Sequence, residues 1–160
     1  MTKISIITTF YNPGKDIIDC VRSVSEQSFR DYEHILVNDG SSDSSVEKVN
    51  KLGLSKIKLL SPGRIGRVAA LNYGISIASG DYVSILDADD IFLRDKLKIQ
   101  NELLDNDKSI SLVYSNVIFV NKYGKKIGKS DYPTNHNEIF EYLKNLNPFP
   151  ASSAMFRKSK

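Results

Sequence analysis

Three carboxylates stand within four positions at Asp87-Ala88-Asp89-Asp90, directly after the apolar segment Tyr82 to Leu86. Burial favours the apolar segment, whereas ionised carboxylates without a partner are very costly away from water. A strand that ends in clustered acids therefore needs a compensating cation, and a divalent metal bound to a phosphate would supply one. A solvated acidic turn explains the same residues equally well. The choice between the two depends on the rest of the chain.

Strands alternate with helices before these acids. Apolar and β-branched runs predict strands at residues 4–9, 33–37 and 56–60, followed by the strand that carries the acids. Helical spacing predicts helices around residues 17–24, 44–52 and 67–78. This alternation indicates an α/β fold with a parallel sheet covered on both faces.

The pattern changes after Phe92, where the spacing of Leu93, Leu97 and Leu104 indicates another helix. Further predicted elements are a hairpin of residues 110–120 and 125–127, a helix at 136–146 and a closing strand at 151–157. The hairpin makes the later sheet mixed.

Polar side chains follow the predicted strands where each strand ends. They are Thr8, Thr9, Tyr11 and Asn12 after the first, Asp39 and Ser41 after the second, and Asp87 and Asp89 after the fourth. In parallel sheets, ligands bind beyond the carboxyl ends of the strands, where the winding direction reverses. The sequence therefore predicts one site built by several strand ends.

Some of these residue types suit a nucleotide. Asp39 could accept the ring N–H of uracil, thymine or guanine, although Asn-Asp-Gly-Ser is also an ordinary turn sequence. Tyr11 could stack on a base or pack at the strand end. The forked donors of Arg67 suit a diphosphate, and Arg64 is a rival for that role.

Composition and absent motifs exclude several classes of protein. The 160 residues are 41% hydrophobic and 26% charged, which is typical of one soluble globular domain. A net charge of +3 without a basic, aromatic-rich block argues against a nucleic-acid partner. The glycine-rich dinucleotide fingerprint and the P-loop are absent, and one cysteine with two histidines cannot form a zinc site.

We expect the protein to be cytoplasmic, either free or bound at the inner face of the cell membrane. Cys20 alone cannot form an internal disulfide, and its helical position favours a buried thiol. The N-terminus lacks the shape of a signal peptide, and no apolar run is long enough for a membrane span. Peripheral membrane association is compatible with both observations.

The segments SIITTFYN, ILVNDGSSD, GRVAALNYGISIASGDYVSILDADD and FLRDKL lie in this order within residues 4–97. In order and spacing they resemble the nucleotide-sugar domain of inverting GT-A glycosyltransferases of family 2. The resemblance implies a three-layer GT-A fold with a mostly parallel, partly mixed central sheet. It also implies transfer of a sugar, with inversion, from a nucleoside diphosphate sugar to an acceptor hydroxyl.

The resemblance assigns nucleotide-binding roles to matching residues. Thr9 and Tyr11 would contact the nucleoside, Asp39 would read the base, and Arg67 would lie near the nucleotide. A uridine diphosphate sugar is the favoured donor, with thymine and guanine nucleotides still open. The expected acceptor is a glycan or a lipid-linked glycan, in the synthesis of a surface polysaccharide.

The resemblance also assigns the metal. Asp89 would hold Mn²⁺ or Mg²⁺ and so stabilise the departing diphosphate, with Asp87 near the ribose and the metal. Asp90 could belong to this site or cap the next helix.

One part of the family pattern is missing. Similar enzymes carry their general base in a Glu-Asp element after a strand like SSAMFRKS, and no Glu-Asp pair follows Asp90. The base is therefore unknown. We expect a single domain at residues 1–160, truncated at its C-terminus, with a nucleotide-binding half (1–97) and the start of an acceptor-side half (98–160). Incomplete activity follows from that expectation.

Two other functions compete with sugar transfer. A non-catalytic nucleotide-sugar-binding module would explain the missing base. A sugar nucleotidyltransferase would share the strand-end acids, but TTFYNPG replaces the glycine-rich basic loop expected after its first strand.

Overall fold

The computed structural model describes residues 2–135, 138, 139, 141, 144 and 149–158. Its elements in chain order are β1 (Ile4–Phe10), α1 (Asp16–Ser25), β2 (Tyr32–Asn38), α2 (Ser45–Lys51), β3 (Ile57–Leu60), α3 (Arg67–Ile77), β4 (Tyr82–Ile85), α4 (Lys96–Asn106), β5 (Leu112–Val113), β6 (Ile118–Val120), β7 (Lys126–Lys129), a 3-10 turn (Ala151–Ser153) and β8 (Met155–Arg157).

Six strands form the main sheet in the order β3-β2-β1-β4-β8-β5. Strands β3, β2, β1 and β4 are parallel to one another, and β8 is antiparallel to both β4 and β5. The predicted α/β fold with a mostly parallel, partly mixed sheet is confirmed. From β1 the chain winds through β2 and β3 on one side and returns to β4 on the other. The carboxyl ends of β1 and β4 are therefore the point of reversal, which is where ligands bind in sheets of this kind.

Helices cover both faces of the sheet. β1 and β2 are buried along nearly their whole length, as expected of strands in a parallel sheet. On one face, α1 buries a stripe that includes Cys20, whose thiol is buried as predicted. Burial raises the pKa of that thiol to about 12. The thiol is therefore protonated near neutral pH.

On the other face, α3 lies unusually close to the sheet. A Cβ added at Gly74 would stand 2.6 Å from Cγ2 of Ile7, a separation that real Cβ atoms do not adopt. Glycine at this position lets α3 pack against β1 and β2. The same close packing fixes the position of Arg67, the first residue of α3.

The later part of the chain differs from its prediction. The predicted hairpin is present, since β6 and β7 are antiparallel. Its first arm is not one strand at 110–120, because the chain leaves the main sheet after β5 and forms the hairpin as a separate sheet. Tyr114 lies at this break, where its ring stacks on Phe149 with 4.1 Å between centroids. The predicted closing strand begins later than expected, because residues Ala151–Ser153 form a 3-10 turn before β8. The predicted helix at 136–146 lies largely outside the described residues.

Within the described part of the chain, no helix has the length and apolar character needed to cross a membrane.

Candidate functional site

The ends of β1, β2 and β4 meet at one edge of the sheet. The Asp39 N–H donates to the Phe10 carbonyl at 2.8 Å, and the Leu86 N–H donates to the Ile7 carbonyl at 2.9 Å. The hydrogen-bond ladder thus extends just past β2 and β4. Residues that follow these three strands are therefore held at a common edge, as the sequence predicted.

The loops after β1 and β2 are tied together by Asn12. Its backbone has a positive φ of 48°, a conformation that asparagine adopts more readily than most residues. The Asn12 N–H donates to Ser41 Oγ at 3.0 Å, and its Oδ1 accepts the Ser42 N–H at 2.8 Å. These bonds hold the loop of Tyr11 against the loop that follows Asp39.

Asp39 is a buried carboxylate that organises the start of α3. It is 3% exposed. Its Oδ1 accepts the Ile65 N–H at 2.7 Å and the Gly66 N–H at 2.8 Å, and its Oδ2 accepts Arg64 Nη1 at 3.0 Å. A turn-forming aspartate would not need these distant partners. Asp39 joins the end of β2 to the loop that leads into α3.

Arg64 covers the side chain that was expected to stack on a base. Its guanidinium carbon lies 3.5 Å from the centre of the Tyr11 ring, which is a cation–π contact. Tyr11 is 50% exposed, so this contact is at the surface. The structure therefore gathers Tyr11, Arg64 and Asp39 into one group. It places Arg64 beside the proposed base reader.

Arg67 and Asp87 form a second group. Arg67 Nη2 donates to Asp87 Oδ1 at 2.5 Å, which joins the start of α3 to the turn after β4. Thr9, the remaining predicted nucleotide ligand, is half-buried near the end of β1 and pairs in register with Val37. Among the described residues its hydroxyl has no hydrogen-bond partner.

The three clustered acids lie on a turn. The Asp90 N–H donates to the Asp87 carbonyl at 3.0 Å, which closes the turn. Ala88 packs against an apolar cluster, while Asp89 is exposed. Asp89 makes no hydrogen bond or ion pair within the described ranges. The turn therefore presents one unpaired carboxylate to solvent.

The idea that Asp90 caps the next helix is wrong, because α4 begins only at Lys96. Asp90 Oδ2 instead accepts a hydrogen bond from Ser152 Oγ at 2.6 Å. The same Ser152 oxygen accepts the Asp87 N–H at 3.0 Å. Sequence reasoning missed Ser152. It reaches the turn only because β8 pairs with β4, and no local sequence pattern signals that pairing.

The turn carries an excess of negative charge. Burial raises the pKa of Asp90 above its ordinary value, the Ser152 hydrogen bond opposes that rise, and the charges of Asp89 and Asp87 add to it. Arg67 offsets the charge of Asp87, but Asp89 has no such partner. A cation beside Asp89 would relieve this repulsion.

The donor set fits a hard divalent cation bound through one or two carboxylates. All of the side-chain ligands that the turn offers are oxygens, which Mg²⁺ and similar ions prefer. The part of the chain that the structure describes holds no group of three or more His, Cys, Asp or Glu side chains suited to enclosing a metal. Phosphate oxygens and water would therefore have to complete the coordination of any such ion.

Comparison with protein-family models identifies the family of this chain. The model of the family described as "Glycosyl transferase family 2" matches residues 5–160. Uncharacterized glycosyltransferases of Methanocaldococcus jannaschii and Haemophilus influenzae are 32% and 36% identical over 126 and 131 residues, or 76% and 79% of this chain. The aligned parts are 43% and 52% of those relatives.

A further relative has a named reaction. The Escherichia coli UDP-Glc:alpha-D-GlcNAc-diphosphoundecaprenol beta-1,3-glucosyltransferase WfgD is 34% identical over 119 residues, covering 74% of this chain and 47% of WfgD. This chain thus spans about half the length of these curated relatives.

Two solved structures share the fold. Residues 1–349 of Staphylococcus aureus TarS, in complex with UDP-GlcNAc, match 98% of this chain and 45% of that one with a TM-score of 0.74 and 21% identity. The mannosyltransferase PcManGT from Pyrobaculum calidifontis, in complex with GDP-Man and Mn²⁺, matches 70% of this chain and 34% of that one, with a TM-score of 0.65 and 25% identity. The GT-A fold expected from the sequence is confirmed.

Proposed function

The chain belongs to glycosyl transferase family 2, and we propose that it binds the donor for a metal-dependent transfer of a sugar, with inversion, from a uridine diphosphate sugar to an acceptor hydroxyl. One observation carries this proposal. Buried Asp39 and unpaired Asp89 follow two strands, β2 and β4, that end at the same edge of the sheet, where its winding direction reverses. A nucleoside at Asp39 and a diphosphate at Asp89 would span that edge.

The nucleoside end is assigned to Thr9, Tyr11 and Asp39. The carboxylate of Asp39 would accept the N3–H of uracil, and the Tyr11 ring would stack on the base. The guanidinium of Arg64 is in van der Waals contact with that ring. Arg64 therefore has to move off the ring before a base can stack on the face that it covers.

The diphosphate end is assigned to Arg67, Asp87 and Asp89. Arg67 has an exposed guanidinium that can turn from Asp87 to phosphate oxygens, where its forked donors fit. Asp89, helped by Asp87, would hold Mn²⁺ or Mg²⁺. When bound, such an ion supplies Lewis-acid stabilisation of the charge that develops on the leaving diphosphate. Ser152 keeps the turn in shape through its bonds to Asp87 and Asp90.

The acceptor that we propose is a lipid-linked glycan. WfgD, whose name specifies a diphosphoundecaprenol-linked acceptor, supports this class. An inverting transfer needs a base for the acceptor proton, and no described residue is assigned to that role. Release of uridine diphosphate that depends on added acceptor would separate the transferase from a non-catalytic binding module.

Calorimetric titration with uridine diphosphate, with and without Mn²⁺, tests the metal end. We expect Mn²⁺ to strengthen binding to the native chain and to have little effect on Asp89→Asn, because this change removes the one unpaired carboxylate of the turn. Asp95→Asn is the matched control, since Asp95 is exposed just before α4 and makes no capping hydrogen bond. An equal Mn²⁺ effect in Asp89→Asn and in the control would refute the metal assignment.

Asp39→Asn tests the base reader. A carboxylate accepts the N3–H of uracil, whereas an asparagine amide can also donate to the unprotonated N3 of cytosine. Asparagine keeps the shape of the aspartate side chain and changes only its hydrogen-bonding groups. We therefore expect the ratio of the affinities for uridine and cytidine diphosphate to fall in Asp39→Asn. An unchanged ratio would remove Asp39 from base recognition.

A further inference from the structure

The hairpin formed by residues 118–129 exposes an unusual amount of apolar surface. Its large apolar side chains are all between 46% and 80% exposed; they are Ile118, Phe119, Val120, Tyr123 and Ile127. A two-stranded hairpin has little stability of its own in water. Clustered apolar surface of this kind marks an interaction site.

The same hairpin is strongly basic. It carries Lys122, Lys125, Lys126 and Lys129, all exposed, and residues 109–130 contain no Asp or Glu. The charge is thus of one sign and is interleaved with the apolar side chains. Interfaces between proteins are depleted of lysine in their cores, whereas basic residues beside apolar and aromatic ones suit an anionic membrane surface.

The tip of the hairpin is held in a defined shape. Asn121 Oδ1 accepts the Tyr123 N–H at 2.9 Å and the Lys125 N–H at 3.1 Å. Gly124, with a φ of 76°, donates its N–H to the Asn121 carbonyl at 2.8 Å. Tyr123 is 80% exposed at this tip. Tyrosine is favoured at the membrane–water interface because its ring is apolar and its hydroxyl is polar.

The hairpin leaves the main sheet on the side of the candidate site. β5 and β4 are both antiparallel to β8, so they run parallel to each other. The chain therefore leaves β5 at the edge where Asp87 follows β4. A surface that contacts this hairpin would lie at the same end of the sheet as the donor site.

We propose that the residue 118–129 hairpin docks the protein on a bilayer that contains anionic lipids. The four lysines contact lipid headgroups, while Tyr123 and Ile127 enter the interface. Docking would bring a lipid-linked acceptor to the donor site, and only this purpose rests on the proposed function. The docking itself rests on the charge and apolar exposure of the hairpin.

Co-sedimentation with vesicles tests the lysines. The 160-residue chain should bind vesicles of phosphatidylcholine mixed with phosphatidylglycerol, and bind pure phosphatidylcholine much less. Each lysine near an anionic surface strengthens binding by roughly fivefold, so Lys125→Gln/Lys126→Gln should weaken it about 25-fold. The matched control is Lys51→Gln/Lys98→Gln, which removes two exposed lysines from α2 and α4 and should bind as the native chain does.

Tyr123→Ser/Ile127→Ser tests the apolar contribution and should weaken vesicle binding at unchanged charge. Equal binding by the hairpin variants and the control would overturn the proposal. Self-association that these serine changes abolish, without vesicle binding, would also overturn it in favour of a second copy. Calorimetry with uridine diphosphate distinguishes the two proposals: a native chain that binds the nucleotide but does not bind the anionic vesicles contradicts only the docking site, and one that binds the vesicles but not the nucleotide contradicts only the proposed donor site.

Discussion

Asp39→Ala should destabilise the fold in addition to altering nucleotide recognition. Asp39 accepts backbone N–H groups from Ile65 and Gly66 and a guanidinium N–H from Arg64, and it is 3% exposed. Alanine removes both carboxylate oxygens, and with them all three hydrogen bonds, and leaves a space where the carboxylate was. The loop before α3 then loses its connection to the end of β2.

The expected loss of unfolding free energy is about 3 kcal/mol. A hydrogen bond to a charged group contributes about 1.5–3 kcal/mol, and the lower figure applies here because the loop at Ile65 lies near solvent. Two backbone bonds then give about 3 kcal/mol. The Arg64 ion pair adds less than about 1 kcal/mol because its guanidinium side is open to water. For a chain of this length, about 3 kcal/mol lowers the melting temperature by roughly 6–12 °C.

Thermal and urea unfolding, followed by circular dichroism, measure this loss. Asp31→Ala is the control, since Asp31 is exposed and its carboxylate has no hydrogen-bond partner among the described residues. A loss no greater than that of the control would mean that the loop does not depend on Asp39. The assignment of Asp39 as its organiser would then be wrong.

Two further changes test the acidic turn of the site and the opposite, amino-terminal edge of the sheet. Ser152→Ala should weaken Mn²⁺-dependent binding of uridine diphosphate severalfold by calorimetry, because it removes the bonds to Asp90 and Asp87; unchanged binding would contradict its role in shaping the turn. Glu33→Gln should make the free energy of unfolding depend less on pH in the acid range. Burial raises the pKa of Glu33, but hydrogen bonds from Ser79 and other donors outweigh it and lower the pKa from 4.5 to about 2. The stability due to the Glu33 carboxylate is therefore full above pH 4.5 and is lost as the pH falls toward 2. Urea unfolding between these pH values should show a shallower decline in the variant, and equal slopes would refute this.

Sequence periodicity predicted the first four strands and their helices well, because each is a local pattern of burial. β1 and β2 are near-continuous apolar runs, and runs of this kind are typical of strands buried on both faces. The polar strand ends could be predicted for the same reason, since parallel strands bring their carboxyl ends to one edge. Asp39 and Asp87 were identified in that way.

The remaining features depend on contacts between distant parts of the chain. Ser152 meets Asp90 across 62 positions, and only the antiparallel pairing of β8 with β4 brings them together. At the break between β5 and β6, Tyr114 stacks on Phe149, which lies 35 positions further along the chain. The contact of Arg64 with Tyr11 likewise depends on how the loop before α3 folds onto β2. Local residue patterns contain none of this information.

The two arginine pairs bear on how the proposed donor and the proposed metal ion would affect each other's binding. Arg64 neutralises Asp39 and Arg67 neutralises Asp87, so Asp89 is the carboxylate of the predicted site that carries uncompensated charge. A hard divalent ion that keeps most of its waters gains little from one exposed carboxylate. A diphosphate would attract Arg67, release Asp87 and bring oxygen ligands of its own. We therefore infer that a bound nucleotide would complete the proposed metal site, so that each ligand would strengthen the binding of the other.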